Sequence, residues 1–61
     1  MTGYERTARE LEPMIRPGLL RKYGQTRQYL YLLGKFYTQW YDARTWEQRV
    51  QLCVSWLKVT K

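Results

Sequence analysis

The stretch from residue 26 to residue 41 constrains the fold of this chain more than any other. A β-strand would need apolar and polar residues to alternate, and this stretch breaks that alternation repeatedly. At about 100° per residue, one half of a helical wheel collects nearly all its apolar and aromatic side chains. That half holds Tyr29, Leu30, Leu32, Leu33, Phe36, Tyr37, Trp40 and Tyr41. The pattern predicts an amphipathic helix over 26–41, with Thr26 as N-cap, whose broad apolar face must be covered.

A second long helix is predicted to follow almost at once. Thr45 and Gln48 are spaced as a capping box, which predicts a helix over about 46–58. The link 42–44 is short, and short links between helices usually join antiparallel neighbours. Residues 52–59 are also rich in β-branched and aromatic types. A short strand there, in an α+β fold, is therefore the alternative to an all-α fold.

The N-terminal half is predicted to hold one or two short helices packed across this antiparallel pair. Residues 1–12 show weak helical spacing and form a short arm, and Pro13 disfavours helix at the residue before it. Two prolines and a glycine within 13–18 indicate a loop, with Met14 and Ile15 against the body. A short helix over 17–23 then ends at Gly24, because a glycine after a basic last turn is a typical stop.

The chain has 61 residues, which allows a single domain, 1–61, with a marginal core. One cysteine and no histidine rule out an internal disulfide and argue against a zinc site, so neither a metal nor a cofactor is expected. Ten aromatic residues are more than so small a core can hide completely. Self-association is the simplest use of the excess, so we expect a homodimer.

Enzymatic activity is not expected. Histidine for acid–base catalysis is absent, and the sequence contains neither a glycine-rich phosphate loop nor a nucleophile elbow. Cys53 falls on the apolar face of the last helix, which favours a buried core thiol over a nucleophile. The lack of a long apolar run argues against a membrane span and a signal peptide, and a single free thiol suits the cytoplasm. The size is typical of phage or plasmid accessory proteins.

The net charge of +6 is unevenly distributed along the sequence. Residues 1–12 carry two basic and three acidic side chains, for −1, whereas residues 13–61 carry nine and two, for +7. A basic body favours an anionic partner, which could be nucleic acid, an acidic protein surface or an anionic membrane face. Solubility alone is an equally simple explanation of the charge.

Nucleic-acid binding is one functional hypothesis. Residues 17–36 can be aligned with a degenerate helix-turn-helix that has Gly24 in its turn and Leu30 and Leu33 facing inward. Its basic and polar residues are of the types that contact phosphates and base edges. These candidate contacts are Arg21, Lys22, Arg27, Gln28, Tyr31 and Lys35. An ordinary helical hairpin with a solvated polar face explains the same residues.

The leading hypothesis is a small regulator that binds a protein partner, whose identity the sequence does not give. Tyr, Trp and Arg are enriched at binding hot spots, and this chain is rich in all three. The candidates for interface or core are Tyr29, Leu33, Phe36, Tyr37, Trp40, Trp46 and Trp56. Gly34, in mid-helix, would be tolerable where another backbone packs closely.

Overall fold

The fold is all-α. The computed structural model describes residues 3–61 and contains α1 (Gly3–Tyr23), α2 (Arg27–Asp42) and α3 (Trp46–Val59). The helices predicted over 26–41 and 46–58 are confirmed to within a residue. The alternative of a strand near 52–59 is wrong, because these residues continue α3 up to its last turn.

The predicted break at Pro13 and the loop over 13–18 are wrong, because α1 is one helix of 21 residues with Pro13 and Pro17 inside it. Pro13 cannot donate to the Arg9 carbonyl, and Pro17 cannot donate to that of Pro13. Both prolines are exposed, four residues apart, so water can solvate the carbonyls that lose their partners. The prolines therefore weaken α1 on the side that is not packed.

Packing on the opposite side of α1 compensates for the prolines. Ala8, Ile15 and Leu19 are fully buried, and Leu11 packs partly against them. These residues are three or four apart, so they form one continuous stripe that passes both prolines. The free energy gained by burying this stripe against two other helices outweighs the cost of placing two prolines inside a helix. Met14 lies off the stripe and is exposed, so the expectation that it packs against the body is wrong.

The predicted helix ends around the turn are confirmed. Gly24 follows α1 in the left-handed conformation at φ 70°, and its amide donates to the Leu20 carbonyl. The Thr26 hydroxyl then caps α2 by accepting from the amide of Tyr29 at 3.2 Å. Two residues therefore suffice to stop one helix and start the next.

The predicted cap of α3 is confirmed in its main contact. The Thr45 hydroxyl accepts from the amide of Gln48 at 3.1 Å. The Gln48 side chain reaches back, but it accepts from the amide of Arg44 and not from that of Thr45. The arrangement differs from a capping box by one residue, and it still satisfies a backbone donor at the helix start.

The three helices run up, down and up. Arg9 of α1 lies over Trp46 near the start of α3, and Lys22 bonds the carbonyl of Val59 near its end, so α1 and α3 are parallel. α2 runs antiparallel to both, as its predicted pairing with α3 requires. The most extensive packing lies between α1 and α3, which makes the N-terminal helix a principal element of the fold.

Gly18 is the point of closest approach between α1 and the end of α3. A Cβ added there would lie 2.9 Å from the Cβ of Thr60. A glycine that the sequence pattern assigns to a loop therefore serves helix packing instead. It lets the two parallel helices stay close where they end together.

The core is centred on Phe36 of α2, which is fully buried. The rings of Trp56 and Trp40 lie 5.8 and 6.0 Å from its centroid, and that of Trp56 meets it edge-on. The Trp56 indole N–H donates to the side-chain oxygen of Gln39 at 3.0 Å, so its one polar atom is satisfied. This aromatic cluster joins α2 to α3.

Two arginines reinforce the same end of the bundle. The Arg49 guanidinium lies 5.0 Å from the Trp40 ring and 4.7 Å from the Trp46 ring, and its Nε donates to the Trp40 carbonyl. That carbonyl is one of the last four of α2, which have no partner within the helix. Arg9 stacks on Trp46 from α1 at 5.5 Å. Trp46 is thus in contact with a guanidinium from each of two helices.

Candidate protein-binding groove

The fold gathers one kind of charge at one end of the molecule. The second half of α1, the start of α2 and the end of α3 meet there, because α2 runs antiparallel to the other two. We call the cations that these segments carry the basic pole: Arg16, Arg21, Lys22, Arg27, Lys58 and Lys61. None of the five acidic residues of the chain lies on these segments.

The basic pole accounts for the whole net charge of the protein. Eleven basic residues less the six of the pole leave five, and these balance the five acidic residues. Two of the five form salt bridges along α1, Arg6 with Glu10 at 3.3 Å and Arg9 with Glu5 at 3.2 Å. The protein therefore has a pole of formal charge +6 and a remainder of formal charge zero.

A groove between α1 and α3 opens at the basic pole. It has a volume of about 570 Å³, and its apolar lining comes from Met14, Pro17, Val54 and Leu57. Arg21, Lys58 and Lys61 supply its charged side chains, and no acidic residue of the described chain lines it. The two helices converge at its end, where the Lys22 ammonium donates to the Val59 carbonyl at 2.6 Å. The arrangement suits a ligand that is both apolar and anionic.

The residues predicted as interface or core mostly build the core of a single chain. Tyr29, Phe36, Trp40 and Trp56 are buried. Leu33, Tyr37 and Trp46 are half-buried and pack against them. Burial raises the pKa of Tyr37, and the nearby Glu12 carboxylate raises it further. The aromatic residues outside this core that remain exposed are tyrosines: Tyr4, Tyr31 and Tyr41.

The predicted nucleic-acid contacts are all exposed, but they divide between two sides of the bundle. Arg21 lines the α1–α3 groove, and Lys22 reaches across the end of α3. Arg27, Gln28, Tyr31 and Lys35 lie on α2, where the Lys35 ammonium is 5.6 Å from the Tyr31 ring. Two of the six candidates therefore lie beside α3, and the other four lie on α2.

The helix pair that the sequence aligns with a helix-turn-helix is an antiparallel hairpin. The Arg16 Nε donates to the Tyr29 hydroxyl at 3.2 Å, and farther from the turn Glu12 lies beside Tyr37. Leu33 is half-buried as expected, but Leu30 faces outward, so its predicted inward position is wrong. With Leu20 it lines a smaller groove of about 330 Å³ between α1 and α2.

Sequence reasoning missed the groove residues of α3. Val54 and Lys58 belong to α3, whose apolar residues spread over two sides of the helix. The sequence pattern does not decide which of these sides faces the core. The structure buries Cys53 and Trp56 and leaves Val54 exposed. The only sequence signal for the groove is that α3 has more apolar positions than one neighbouring helix can cover.

Cys53 is fully buried, and burial raises the pKa of its thiol to about 11, with a smaller contribution from the Glu12 carboxylate. Within residues 3–61, no group of three or more His, Cys, Asp or Glu side chains comes together as a metal site. None of the helices described is long and apolar enough to cross a membrane.

We expect the Cys53 thiol to be inert in the native protein. At pH 7 a thiol with a pKa of about 11 is ionised in only about 1 molecule in 10,000, and the thiolate is the reactive form. Reaction with Ellman's reagent should therefore be slow at pH 7, accelerate as the pH rises toward 11, and become immediate in guanidinium chloride. Immediate reaction of the folded protein at pH 7 would show that Cys53 is accessible.

Comparison with protein-family models, curated proteins and solved structures finds no match for this chain. Its function is therefore inferred from its own geometry.

Proposed function

We propose that this protein is a small, non-enzymatic regulator that acts as a homodimer and binds an acidic, amphipathic segment of a partner protein in the α1–α3 groove. The observation that supports the proposal is the composition of that groove. Its floor is apolar, its charged side chains are cations, and it lies where the whole net charge of the protein is concentrated.

The apolar floor favours a protein over a purely charged ligand. Met14 is 53% exposed and Val54 43% exposed, so covering them removes apolar surface from water. Such burial is worth about 25 cal/mol per Å², and it rewards a ligand that brings apolar side chains of its own. A phosphate backbone offers no such side chains.

The groove suits a helical ligand in particular. An amphipathic helix places residues of spacing three and four along one face, and such a face can lie in the surface groove that two packed parallel helices form. Carboxylates on the flanks of that face would meet Arg21 on one wall and Lys58 on the other. Arginine can bind a carboxylate through two parallel hydrogen bonds, which adds orientation to attraction.

The basic pole would also accelerate the encounter. A charge of formal value +6 at one end attracts an acidic segment from a distance and turns the molecule toward it. Removing one cation outside the groove should then lower the association rate more than it raises the dissociation rate.

The proposal can be tested with a labelled peptide of about 16 residues that has leucines at helical spacing and glutamates elsewhere. A scrambled peptide of the same composition is the control ligand. By fluorescence anisotropy we expect the patterned peptide to bind at least ~10-fold more tightly than the scrambled one. Val54→Asp and Lys58→Glu should each weaken this binding by ~10-fold or more, because they put a carboxylate in the groove.

The matched control variant is Arg44→Glu, which makes the same charge change at an exposed position outside the basic pole. It should bind the patterned peptide within about threefold of the wild type. Equal affinity for the patterned and scrambled peptides would contradict the proposal. So would equal weakening by Arg44→Glu and Lys58→Glu, because binding would then depend on net charge alone.

Nucleic-acid binding is the second candidate, and the density of cations at the basic pole favours it. Six cations concentrated at one end of the molecule suit a phosphate backbone. The same assay with a labelled DNA duplex of about 20 base pairs separates the two candidates. Steep salt dependence, loss on combined Arg27→Ala and Lys35→Ala, and indifference to Val54→Asp would favour nucleic acid.

A further inference from the structure

The outward surface of α2 exposes three large hydrophobic side chains. Its three large hydrophobic side chains, Leu30 at 65%, Tyr31 at 64% and Tyr41 at 74%, are the most exposed of their kind in residues 3–61. At about 100° per residue they lie about 120–140° around the helix from the buried Phe36. Leu30 and Tyr41, which the helical wheel groups with Phe36, are therefore outside the buried face. We call Arg27, Leu30, Tyr31, Gly34, Thr38, Tyr41 and Asp42 the outer face of α2.

Charges at the two ends of this face are placed against the helix dipole. α1 and α3 follow the usual preference, with an acidic residue in the first turn and a basic residue in the last. α2 has a cation, Arg27, at its start and an anion, Asp42, at its end, and neither has an ion-pair partner among the described residues. Within one chain, this placement of charge weakens α2.

In a dimer, the charges of Arg27 and Asp42 could attract the opposite charges of a second copy of the same chain. If two α2 helices pack antiparallel about a twofold axis near Gly34, Arg27 of each meets Asp42 of the other. The basic pole of each copy then lies beside the neutral end of its partner. A parallel pairing would place Arg27 against Arg27 and the two basic poles together, so the charges select the antiparallel arrangement.

The middle of the face allows the two helices to come close. A Cβ added at Gly34 would meet no atom within 4 Å, so nothing in the single chain requires a glycine there. Glycine is nevertheless the least favourable residue in a helix interior apart from proline. Lys35 lies at the edge of the face, where its ammonium can stay in water while its stem covers apolar surface.

From these observations we infer that the outer face of α2 is the homodimer interface, with two copies packed antiparallel and Arg27 paired with the partner's Asp42. This inference rests on the homodimer of the proposed function and specifies its geometry. An α2 helix of 16 residues is about 24 Å long, so the interface between two such helices is small for a stable dimer. We therefore expect a dissociation constant in the micromolar range. No α2 residue lines the α1–α3 groove, so both grooves stay open in the dimer.

Sedimentation of the purified chain from about 1 to about 200 µM tests the inference. The wild type should pass from monomer to dimer across this range. Gly34→Gln should raise the dissociation constant by ~10-fold or more while raising Tm, because the glutamine blocks close approach but favours the helix. Ser55→Gln, the same side chain at an exposed position of α3, should leave the dissociation constant unchanged.

Charge exchange tests the antiparallel geometry. Arg27→Asp alone and Asp42→Arg alone should each weaken the dimer by ~10-fold or more, because each creates two like-charge contacts. The double variant Arg27→Asp/Asp42→Arg should restore dimerisation. A dimer that neither Gly34→Gln nor the single charge changes weaken would overturn the α2 interface, although the homodimer itself would stand.

A wild type that stays monomeric at the highest concentration would overturn the inference and the homodimer together. Peptide binding in the groove is measured separately, and on a monomeric Gly34→Gln variant it should equal that of the wild type. Failure at the α2 face and failure at the groove can therefore be distinguished.

Discussion

Phe36→Ala should abolish the cooperative unfolding of this protein or come close to it. Phe36 is fully buried in contact with two tryptophan rings, and removing such a side chain typically destabilises by about 3–5 kcal/mol. A domain of this size has a total stability of roughly 3–9 kcal/mol. Circular dichroism at 222 nm during heating should show a transition lowered by more than about 15 °C or no transition at all.

Tyr4→Ala is the matched control, because it removes an aromatic ring from an exposed position of α1. We expect it to change the free energy of unfolding by less than about 1 kcal/mol. A Phe36→Ala variant of near-native stability would mean that α2 does not carry the core described above.

Pro13→Ala should stabilise the protein. The sign of this change in stability distinguishes a continuous α1 from a loop over residues 13–18. Inside a helix, proline is about 3 kcal/mol less favourable than alanine, and part of that is offset because proline also restricts the unfolded chain. We therefore expect a gain of about 1–3 kcal/mol, with Tm raised by at least about 4 °C and the helical signal preserved.

A decrease in the free energy of unfolding on Pro13→Ala would contradict a continuous α1. If residues 13–18 formed a loop, replacing a compatible proline by alanine would destabilise by about 0.4–1 kcal/mol through the unfolded state. A fall in Tm on Pro13→Ala would thus restore the two short helices that the local sequence pattern predicts. Urea unfolding of the same pair of proteins provides an independent measurement of the free energy.

The second and third helices could be predicted from sequence because their signals are local. Thr26 and Thr45 mark their starts, and each is followed by apolar residues at helical spacing. The first helix could not be predicted in the same way, because its local and tertiary signals conflict. Two prolines and Gly18 indicate a loop, whereas the stripe through Ala8, Ile15 and Leu19 acts only when other helices are present to bury it.

The candidate groove could not be predicted from the sequence, for a related reason. Along the chain, the charge divides between residues 1–12 and the rest. In the fold, the division is between two ends of the bundle, and it depends on the direction of all three helices. Met14 and Val54 are forty residues apart, and only the parallel packing of α1 and α3 brings them into one groove.

The two proposed surfaces would give the dimer a defined layout. In the proposed dimer, the outer face of α2 would join the two copies, and the grooves between α1 and α3 would remain open to partners. Two linked grooves can bind a partner with two acidic segments more tightly than one groove can, because the second contact is intramolecular. This property would suit a regulator that has no chemistry of its own.

The most direct test of the proposed function is a nuclear magnetic resonance titration of the isotope-labelled protein with the patterned leucine–glutamate peptide. The largest amide shifts should fall within 14–21 and 54–61, on the two walls of the groove, and should saturate with the peptide. The outer face of α2 should shift little. Largest shifts at Arg27, Tyr31 and Lys35, or small shifts spread evenly over the chain, would contradict the binding site proposed for this protein.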